Sequence, residues 1–286
     1  MGKTSKDKRD IFYRLAKEKG YRARSAFKLL QIDEEFDIIK DSKRVVDLCA
    51  APGSWCQVLT KKMSGTEDKE AFPIIAVDLQ AMAPLPNVLE IQGDITELQT
   101  ATLILDKFKG QRADLVVCDG APDVFNLHDM DEYIQAQLVL AALNITIHIL
   151  RDGGSFIAKV FRGKNFPLLC KKLKIFFSDV TLCKPRASRN SRFVLCSGFK
   201  IPKDYCPTMQ LPLLDECYDE INNMAGENVV TIPFVACGDR DGFDSDRTYP
   251  LPENGSNYQP LDPQQKPIEP PYKTFLELKR NNFFKQ

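Results

Sequence analysis

Asp47-Leu-Cys-Ala-Ala-Pro-Gly-Ser-Trp55 is the stretch that decides the fold. It joins the end of an apolar segment, Arg44-Val-Val-Asp-Leu-Cys49, to a tight Pro-Gly turn that opens a helix. An open α/β sheet binds nucleotide-like ligands at such turns, and the small residues Ala50, Ala51 and Gly53 let the backbone approach a ligand closely. The turn lacks the Gly-x-Gly-x-x-Gly spacing of dinucleotide sites and the Lys-Ser/Thr ending of a P-loop, so NAD and ATP are disfavoured.

Aspartates end three of the strand-like segments that follow. Asp78 closes one apolar run, Asp94 follows the next, and Asp119 closes a third. Asp78 falls about where a βαβ unit places the carboxylate that binds a ribose diol. A single strand-end aspartate is about as often a helix cap or a turn former. Because the pattern recurs after successive strands, it favours a binding site at one edge of a sheet.

Strand and helix patterns alternate along most of the chain. Strands are predicted near residues 44–49, 74–78, 88–92, 114–119 and 155–161, and helices over 23–36 and 129–150, the second ended by Gly153-Gly154. Such alternation predicts an α/β protein with a mostly parallel sheet and helices on both faces. Two further strands, near 180–184 and 193–199, are joined too closely for a helical crossover and are predicted to close the sheet as an antiparallel pair.

Composition divides the chain into three parts. Residues 1–20 are polar and basic and are predicted to form a mobile N-terminal arm, while residues 21–200 hold the alternating pattern. Residues 201–286 contain eleven of the eighteen prolines. We predict that this Pro-rich C-terminal extension is a tail rather than a second domain, that its apolar pieces pack on the core or on a partner, and that it is partly disordered.

The remaining composition argues against several classes of protein. The chain of 286 residues is 43% apolar, as is usual for folded proteins, and no apolar run suits a membrane span or a signal peptide. Its nine cysteines include no Cys-x-x-Cys pair, and with only two histidines a metal site is not predicted. Free thiols within apolar strands favour a reducing compartment, which predicts a cytoplasmic protein.

Basic residues are concentrated in two regions although the net charge is zero. Residues 1–30 contain ten Lys/Arg and three Asp/Glu, and residues 159–203 contain twelve Lys/Arg and a single acid, Asp179. Such regions suit the phosphate backbone of RNA, whereas a solvated basic face without a ligand is the more usual explanation of a charge run. RNA is favoured because Arg22, Arg24 and Lys28 precede the stretch at 47–55.

In this order, the motifs DLCAAPGSW, AVDL, GDI and CDGAPD resemble the FtsJ/RrmJ-type 2′-O-ribose RNA methyltransferases over residues 5–199. Three segments are most similar to the eukaryotic tRNA anticodon-loop branch of that family: Thr4–Asp10, Tyr21–Lys28 and Ala81–Pro86. The similarity continues through Pro233–Asp239 and Asp244–Pro250. It implies a Rossmann-like class I methyltransferase fold, with a seven-stranded, mostly parallel sheet and an antiparallel closing strand.

The resemblance also implies an activity: a cytoplasmic enzyme that uses S-adenosyl-L-methionine to methylate the 2′-hydroxyl of tRNA nucleotides 32 and 34. Members of this branch work with a WD-repeat protein or a large helical-repeat protein that selects the nucleotide. The cofactor contacts implied by the resemblance are Gly53 and Trp55 at the methionine end, Asp78 and Asp94 at the ribose and adenine, and Asp119 beside the sulfonium. A core anchor is an equal alternative for Trp55, the only tryptophan.

The catalytic set of the family is Lys-Asp-Lys-Glu, and its first three members match Lys28, Asp119 and Lys159. The resemblance makes Lys159 the general base, although a lysine that extends its ammonium to solvent is the commoner case in edge strands. Lys28 would orient the target hydroxyl or phosphate, and Asp119 would hold the ammonium of Lys159 near the sulfonium. The candidate RNA contacts are Arg22, Arg24, Lys28, Arg162 and Arg189.

The fourth catalytic member has no match. The family places a glutamate shortly after a Ser-Arg-Asn-Ser segment, whereas Ser188–Ser191 here runs directly into Arg192 and Phe193, with no acid between residues 180 and 203. Two alternatives to an active tRNA enzyme therefore stay open. One is a catalytically impaired subunit that binds RNA or a partner. The other is an rRNA 2′-O-methyltransferase, which the C-terminal extension and the match at 21–28 disfavour.

Overall fold

The computed structural model describes residues 10–63, 73–121, 128–161, 163, 166–209, 231–249 and 258–265. In chain order its helices are α1 (Ile11–Glu18), α2 (Ala26–Phe36), α3 (Ser54–Lys62), α4 (Leu98–Lys107), α5 (His128–Ile149) and α6 (Phe166–Phe176). Its strands are β1 (Val45–Leu48), β2 (Ile74–Asp78), β3 (Val88–Gln92), β4 (Ala113–Cys118), β5 (Leu150–Val160), β6 (Phe177–Pro185), β7 (Arg192–Phe199) and β8 (Phe234–Cys237). Within these ranges, no helix combines the length and the apolar character needed to cross a bilayer.

These strands form one sheet in the order β3-β2-β1-β4-β5-β7-β6-β8. Strands β1 to β5 run parallel, and β7 is antiparallel to both β5 and β6. Side chains of α2 and α3 pack on one face, and side chains of α4, α5 and α6 pack on the other. The predicted Rossmann-like α/β architecture and its antiparallel closing strand are therefore confirmed.

The central strands are buried on both sides. Every residue of β1 and β4 is buried, and the neighbours Val116 and Val117 belong to the cores on opposite faces of the sheet. Helices on both faces explain why these strands are continuous apolar runs without polar alternation. Strand order reverses between β1 and β4, and the carboxyl ends of strands at such a reversal form a crevice suited to ligands.

The sheet has eight strands rather than the predicted seven. The additional strand is β8, from the C-terminal extension, which pairs parallel to β6 from Leu182↔Phe234 to Pro185↔Cys237. Cys237 is fully buried, whereas Phe234 is 56% exposed. The apolar piece near residue 232, predicted to pack on the core or on a partner, thus completes the edge of the core sheet.

The predicted mobile arm is partly a helix. Asp10 caps α1 by accepting a hydrogen bond from the amide of Tyr13, and Ile11 and Phe12 are buried. The Phe12 ring packs against Phe27 of α2 at a centroid distance of 5.4 Å. The prediction is wrong for α1 because this aromatic contact supplies a hydrophobic partner that the polar composition did not reveal. Residues 1–9 of the predicted arm lie outside the described residues.

The strand β5 also begins earlier than predicted. Helix α5 ends at Ile149, and β5 starts at Leu150 and runs through Gly153 and Gly154. Gly153 has φ +73, and the pairing of β5 with β4 shifts register between Ala113 and Leu115. The glycines therefore permit an irregular stretch inside the strand, because a positive φ costs glycine little.

Candidate functional site

The turn at residues 49–53 connects β1 to α3 at the point where strand order reverses. Cys49 and Gly53 have positive φ values of 56 and 97, and the Gly53 amide donates to the Ala50 carbonyl at 2.7 Å. A Cβ atom on Gly53 would lie 2.8 Å from Nη1 of Arg22. Glycine is thus required at position 53 both for backbone conformation and for space.

Arg22 holds this turn against the loop that follows β2. Its Nη1 donates to the carbonyls of Pro52 at 3.1 Å and Ala83 at 2.8 Å, and its Nη2 donates to the carbonyl of Pro84 at 3.0 Å. Three carbonyl acceptors occupy much of the donor capacity of one guanidinium group. The structure therefore gives Arg22 a task inside the protein that differs from the predicted RNA contact.

Asp78 and Asp94 lie at the ends of β2 and β3, half-buried, as the sequence pattern predicts. The carboxylate of Asp78 accepts from the amide of Ala51 at 2.9 Å and from that of Gln80 at 2.8 Å. Asp94 accepts from the amide and the hydroxyl of Thr96, both at 2.8 Å. Both residues shape turns, and because a carboxylate has about four acceptor positions, capacity for ligand hydroxyls remains.

The side chain of Trp55 belongs to the core. It is 2% exposed, its Nε1 donates to the Ser25 carbonyl at 3.0 Å, and its ring lies 5.6 Å from that of Phe193. The structure thus supports the core-anchor alternative for this side chain. The backbone amide of Trp55 is in the first turn of α3, where amides lack intrahelical acceptors and can bind a ligand carboxylate. A ligand contact at this position is therefore a backbone contact.

Lys28, Asp119 and Lys159 come together at the ends of α2, β4 and β5, and we call them the lysine cluster. Nζ of Lys28 lies 3.1 Å from both carboxylate oxygens of Asp119, and Nζ of Lys159 lies 3.5 Å from one of them. The three side chains are only 12–15% exposed. Burial lowers the pKa of Lys28 below its ordinary value, opposed by the charge of Asp119 and assisted by that of Lys159. One carboxylate thus serves two buried amines.

Phe193 lies beside the lysine cluster at the start of β7, the strand at whose start the resemblance leads one to expect a glutamate. It pairs directly with Lys159 across β5 and β7, is fully buried, and its ring centroid lies 5.6 Å from Nζ of Lys28. Within the described part of the chain, Asp119 is the only carboxylate at ion-pair distance from either lysine. The ring offers a cation–π contact in place of a second negative charge.

Arg24 and Arg189, two other predicted RNA contacts, are held by contacts within the protein. Arg24 forms an ion pair with Asp10 and donates to the Ala187 carbonyl at 2.5 Å. Arg189, with its side chain 49% exposed, lies 3.4 Å from the same aspartate and donates to the Ser245 carbonyl at 3.2 Å. Both arginines therefore connect α1 to the loop between β6 and β7. The predicted contact Arg162 lies outside the described residues.

Two features of the site escaped the sequence analysis. The first is Asp47, which is 1% exposed beneath the turn and accepts from the Cys56 thiol at 3.0 Å. Burial raises the pKa of Asp47 to about 7, against the effect of this thiol. The aspartate within an apolar strand could have predicted a buried acid from the sequence. The sequence did not indicate which side chain would form a hydrogen bond with it.

The second feature is a brace formed by residues 258–265 of the C-terminal extension. Gln265 accepts from the Ala83 amide at 2.6 Å, and Gln264 accepts from Nε2 of Gln57 at 3.1 Å. Gln57 in turn donates to the Gly20 carbonyl and accepts from the Arg22 amide. The brace thus connects the extension to α3 and to the loop after β2 that Arg22 also holds. Glutamines in a Pro-rich segment carry no local signal of such contacts.

No group of three or more His, Cys, Asp or Glu side chains with the geometry of a metal site occurs among the residues that the structure describes. The polar groups at this sheet edge are instead carboxylates bonded to amides, helix amides and two buried lysines. This set is suited to an organic ligand with hydroxyl and carboxylate groups and to a reaction that moves a proton.

Comparison with known proteins decides the family. The sequence pattern of the family described as FtsJ-like methyltransferase matches residues 21–199. The chain belongs to this family. A tRNA (cytidine(32)/guanosine(34)-2′-O)-methyltransferase of Mus musculus is 57% identical to it, over 98% of this chain and 87% of the relative. The protein of the same name from Schizosaccharomyces pombe is 50% identical, over 98% of this chain and 99% of the relative.

The solved structures agree with the FtsJ-like fold. A Plasmodium falciparum protein named as a ribosomal RNA methyltransferase superposes with a TM-score of 0.56 and 26% sequence identity. The superposition covers 63% of this chain and 98% of that chain. The part of this chain beyond the shared domain therefore includes most of the C-terminal extension.

Proposed function

We propose that this FtsJ-like methyltransferase transfers the methyl group of S-adenosyl-L-methionine to the 2′-hydroxyl of tRNA nucleotides 32 and 34. The observation that carries the proposal is the lysine cluster, in which two buried amines meet one carboxylate beside the turn at 49–53. Its support from relatives is the 57% identity to a protein named for this activity, over 98% of the chain.

The residues around the turn fit the cofactor. The amides of Ser54 and Trp55, in the first turn of α3 after Gly53, can bind the methionine carboxylate. Asp78 and Asp94 stand one and two strands away, which suits the ribose and the adenine. When bound, S-adenosyl-L-methionine supplies an electrophilic methyl group on a sulfonium.

The lysine cluster supplies the proton acceptor. Both amines lie at the same carboxylate, Asp119, and both side chains are only 12% exposed. Lys28 is held by two contacts of 3.1 Å, whereas Lys159 has a longer one of 3.5 Å. We therefore assign Lys159 as the base that takes the proton of the 2′-hydroxyl, with Asp119 and Lys28 orienting it.

A second candidate function is that of a subunit that binds cofactor and RNA without efficient catalysis. The position of Phe193 beside the lysine cluster favours this candidate. A buried ring stands where a second carboxylate would compensate the second lysine. An rRNA substrate is less well supported, because a Neurospora crassa protein named as an rRNA methyltransferase is 39% identical over 85% of this chain, against 57% over 98% for the relative named for tRNA. We also propose a cytoplasmic location and a WD-repeat or large helical-repeat partner that selects the nucleotide.

The test is methyl transfer from labelled cofactor to unmodified tRNA, with and without each candidate partner. Methylated nucleotides are mapped by resistance of the adjoining linkage to alkaline cleavage. Product at nucleotide 32 or 34 supports the proposal. Binding of cofactor and tRNA without product, in the presence of either partner, would support the impaired subunit.

A further inference from the structure

A cleft of about 460 Å³ opens at the carboxyl end of β5. Its walls are Val160 at the end of that strand, Phe166 at the start of α6, Leu182 on β6, Arg192 at the start of β7, and Phe234 on β8. Sites for small organic groups have volumes of a few hundred Å³ and combine apolar walls with a few polar groups. None of these five residues belongs to the lysine cluster.

The cleft and the lysine cluster lie on two sides of the same sheet edge. Val160 follows Lys159 directly, and in the pairing of β5 with β7 the pair Val160↔Arg192 follows Lys159↔Phe193. Successive strand residues point to opposite faces. Val160 belongs to the core on the α4–α6 face, and Phe193 to the core on the α2–α3 face. The cleft and the lysine cluster therefore adjoin neighbouring residue pairs of β5 and β7 on opposite faces of the sheet.

The walls of the cleft suit a nucleobase with its phosphate. Phe234 is 56% exposed on the edge strand, next to Leu182 in the pairing with β6, and Phe166 is half-buried. Aromatic rings stack single-stranded bases, and an arginine beside them binds phosphate. Twelve basic residues and one acid between residues 159 and 203 give the surrounding chain a charge complementary to RNA.

We propose that this cleft binds the base of a nucleotide adjoining the methylated one in single-stranded RNA, with the base against Phe234 and its phosphate at Arg192. This inference rests on the proposed function, since it needs an RNA substrate at the lysine cluster. It adds a substrate subsite to which β8 of the C-terminal extension contributes the aromatic wall.

The test uses an unmodified anticodon stem-loop RNA that carries 2-aminopurine next to the target nucleotide, because stacking on an aromatic ring quenches its fluorescence. We expect Phe234→Ala to abolish the quenching and weaken RNA binding about 5- to 100-fold, the range for one stacked base. Phe234→Trp should retain both. Arg192→Gln should weaken binding and reduce the salt dependence by about one phosphate contact.

Ile175→Ala is the matched control, since Ile175 is likewise 56% exposed but lies on α6 outside the cleft walls. Melting temperatures verify that each variant folds. Unchanged quenching and RNA affinity in both Phe234→Ala and Arg192→Gln would overturn the subsite while leaving the proposed function intact. If those variants bind RNA as the wild type does but no longer bind an accessory protein, the cleft is a protein interface. A wild-type protein that neither binds nor methylates the RNA would overturn both proposals.

Discussion

The two halves of the site are built in different ways. The turn half consists of the turn at 49–53 with Asp78 and Asp94, and its carboxylates are bonded to amides of the same or the adjoining turn. The lysine half consists of the lysine cluster and Phe193, brought together from α2, β4, β5 and β7. Lys28 and Asp119 are separated by 91 residues in sequence. Asp78 and Asp94 are thus held partly by amides two residues away in sequence, whereas the lysine half is assembled from four distant elements.

The departure from the family pattern falls entirely in the lysine half. The family glutamate has no match there, and Phe193 contributes a ring that lies near Lys28 and packs on Trp55. The turn half keeps its hydrogen bonds, because those bonds do not involve β7. We therefore expect cofactor affinity and methyl-transfer rate to respond to different substitutions, and the following changes test this separation.

The largest effect is expected for Lys159→Met, which removes the amine but keeps the length of the side chain. Loss of the general base should lower kcat by about 10²- to 10⁴-fold. Cofactor affinity should not change, because the turn half is untouched. Single-turnover methyl transfer and isothermal titration with the cofactor measure the two quantities. Lys40→Met, at an exposed lysine paired with Asp37, is the control. Loss of cofactor binding in Lys159→Met would make this lysine a structural residue.

Asp47→Asn should change the pH dependence of stability. The carboxyl of Asp47, with an ordinary pKa of 3.8, titrates at about 7 in the folded protein. The protonated carboxyl of Asp47 therefore contributes its full stabilisation of the folded protein below about pH 4. This stabilisation is lost as the pH rises through about 7. The loss amounts to at most about 4 kcal/mol.

The measurement is the free energy of unfolding in denaturant at pH 5 and pH 8 for both proteins. The amide introduced by Asp47→Asn keeps an acceptor for the Cys56 thiol but cannot ionise, so the decrease from pH 5 to pH 8 should be smaller in the variant. Equal decreases would show that Asp47 ionises at its ordinary pKa.

Gly53→Ala should damage the turn half specifically. Its φ of +97 costs an alanine about 1–3 kcal/mol, and the new methyl group would crowd Arg22. Gly110→Ala is a matched control, since Gly110 has φ +77 with nothing within 4 Å of the added carbon. We expect both variants to lose stability and only Gly53→Ala to lose cofactor affinity. Equal affinities would show that the turn does not contact the cofactor.

Phe193→Glu should raise activity by restoring a second carboxylate to the lysine half. We expect kcat to increase about tenfold or more, towards the contribution of a positioned acid–base group. Phe193→Gln is the matched control, because it loses the ring contact with Trp55 equally and differs only in charge. The melting temperatures of both variants measure how much stability is lost with the aromatic ring. Equal rates for the two variants would show that one carboxylate suffices.

The smallest effect is expected for Gln265→Ala, which removes the acceptor for the Ala83 amide. Loss of one hydrogen bond, about 1 kcal/mol, should weaken cofactor binding about fivefold through the loop held by Arg22. Gln265→Glu keeps an acceptor and should restore the affinity. Gln259→Ala, at an exposed position of the same segment, controls for the substitution itself. If Gln265→Ala binds as the wild type does, the brace does not support the cofactor loop.

Local patterns predicted the sheet closely. The predicted strands at 74–78 and 88–92 coincide with β2 and β3, because apolar runs ended by polar turn residues depend on near neighbours. The glycine at 53 and the strand-end aspartates were visible for the same reason. Arg22 was predicted as an RNA contact because its charge is apparent from the sequence. The three carbonyl groups that accept its hydrogen bonds are apparent only in the structure.

Sequence patterns alone predicted the α/β architecture, the turn at 49–53 and the lysines and aspartate of the lysine cluster. Four long-range contacts are apparent only in the folded protein: α1 on Phe27, β8 at the sheet edge, Gln264 and Gln265 against α3 and the loop after β2, and Phe193 opposite Lys159. Periodicity and turn chemistry act over a few residues. Contacts between distant segments form where buried surface and hydrogen-bonding groups match, and those matches exist only once the chain has folded.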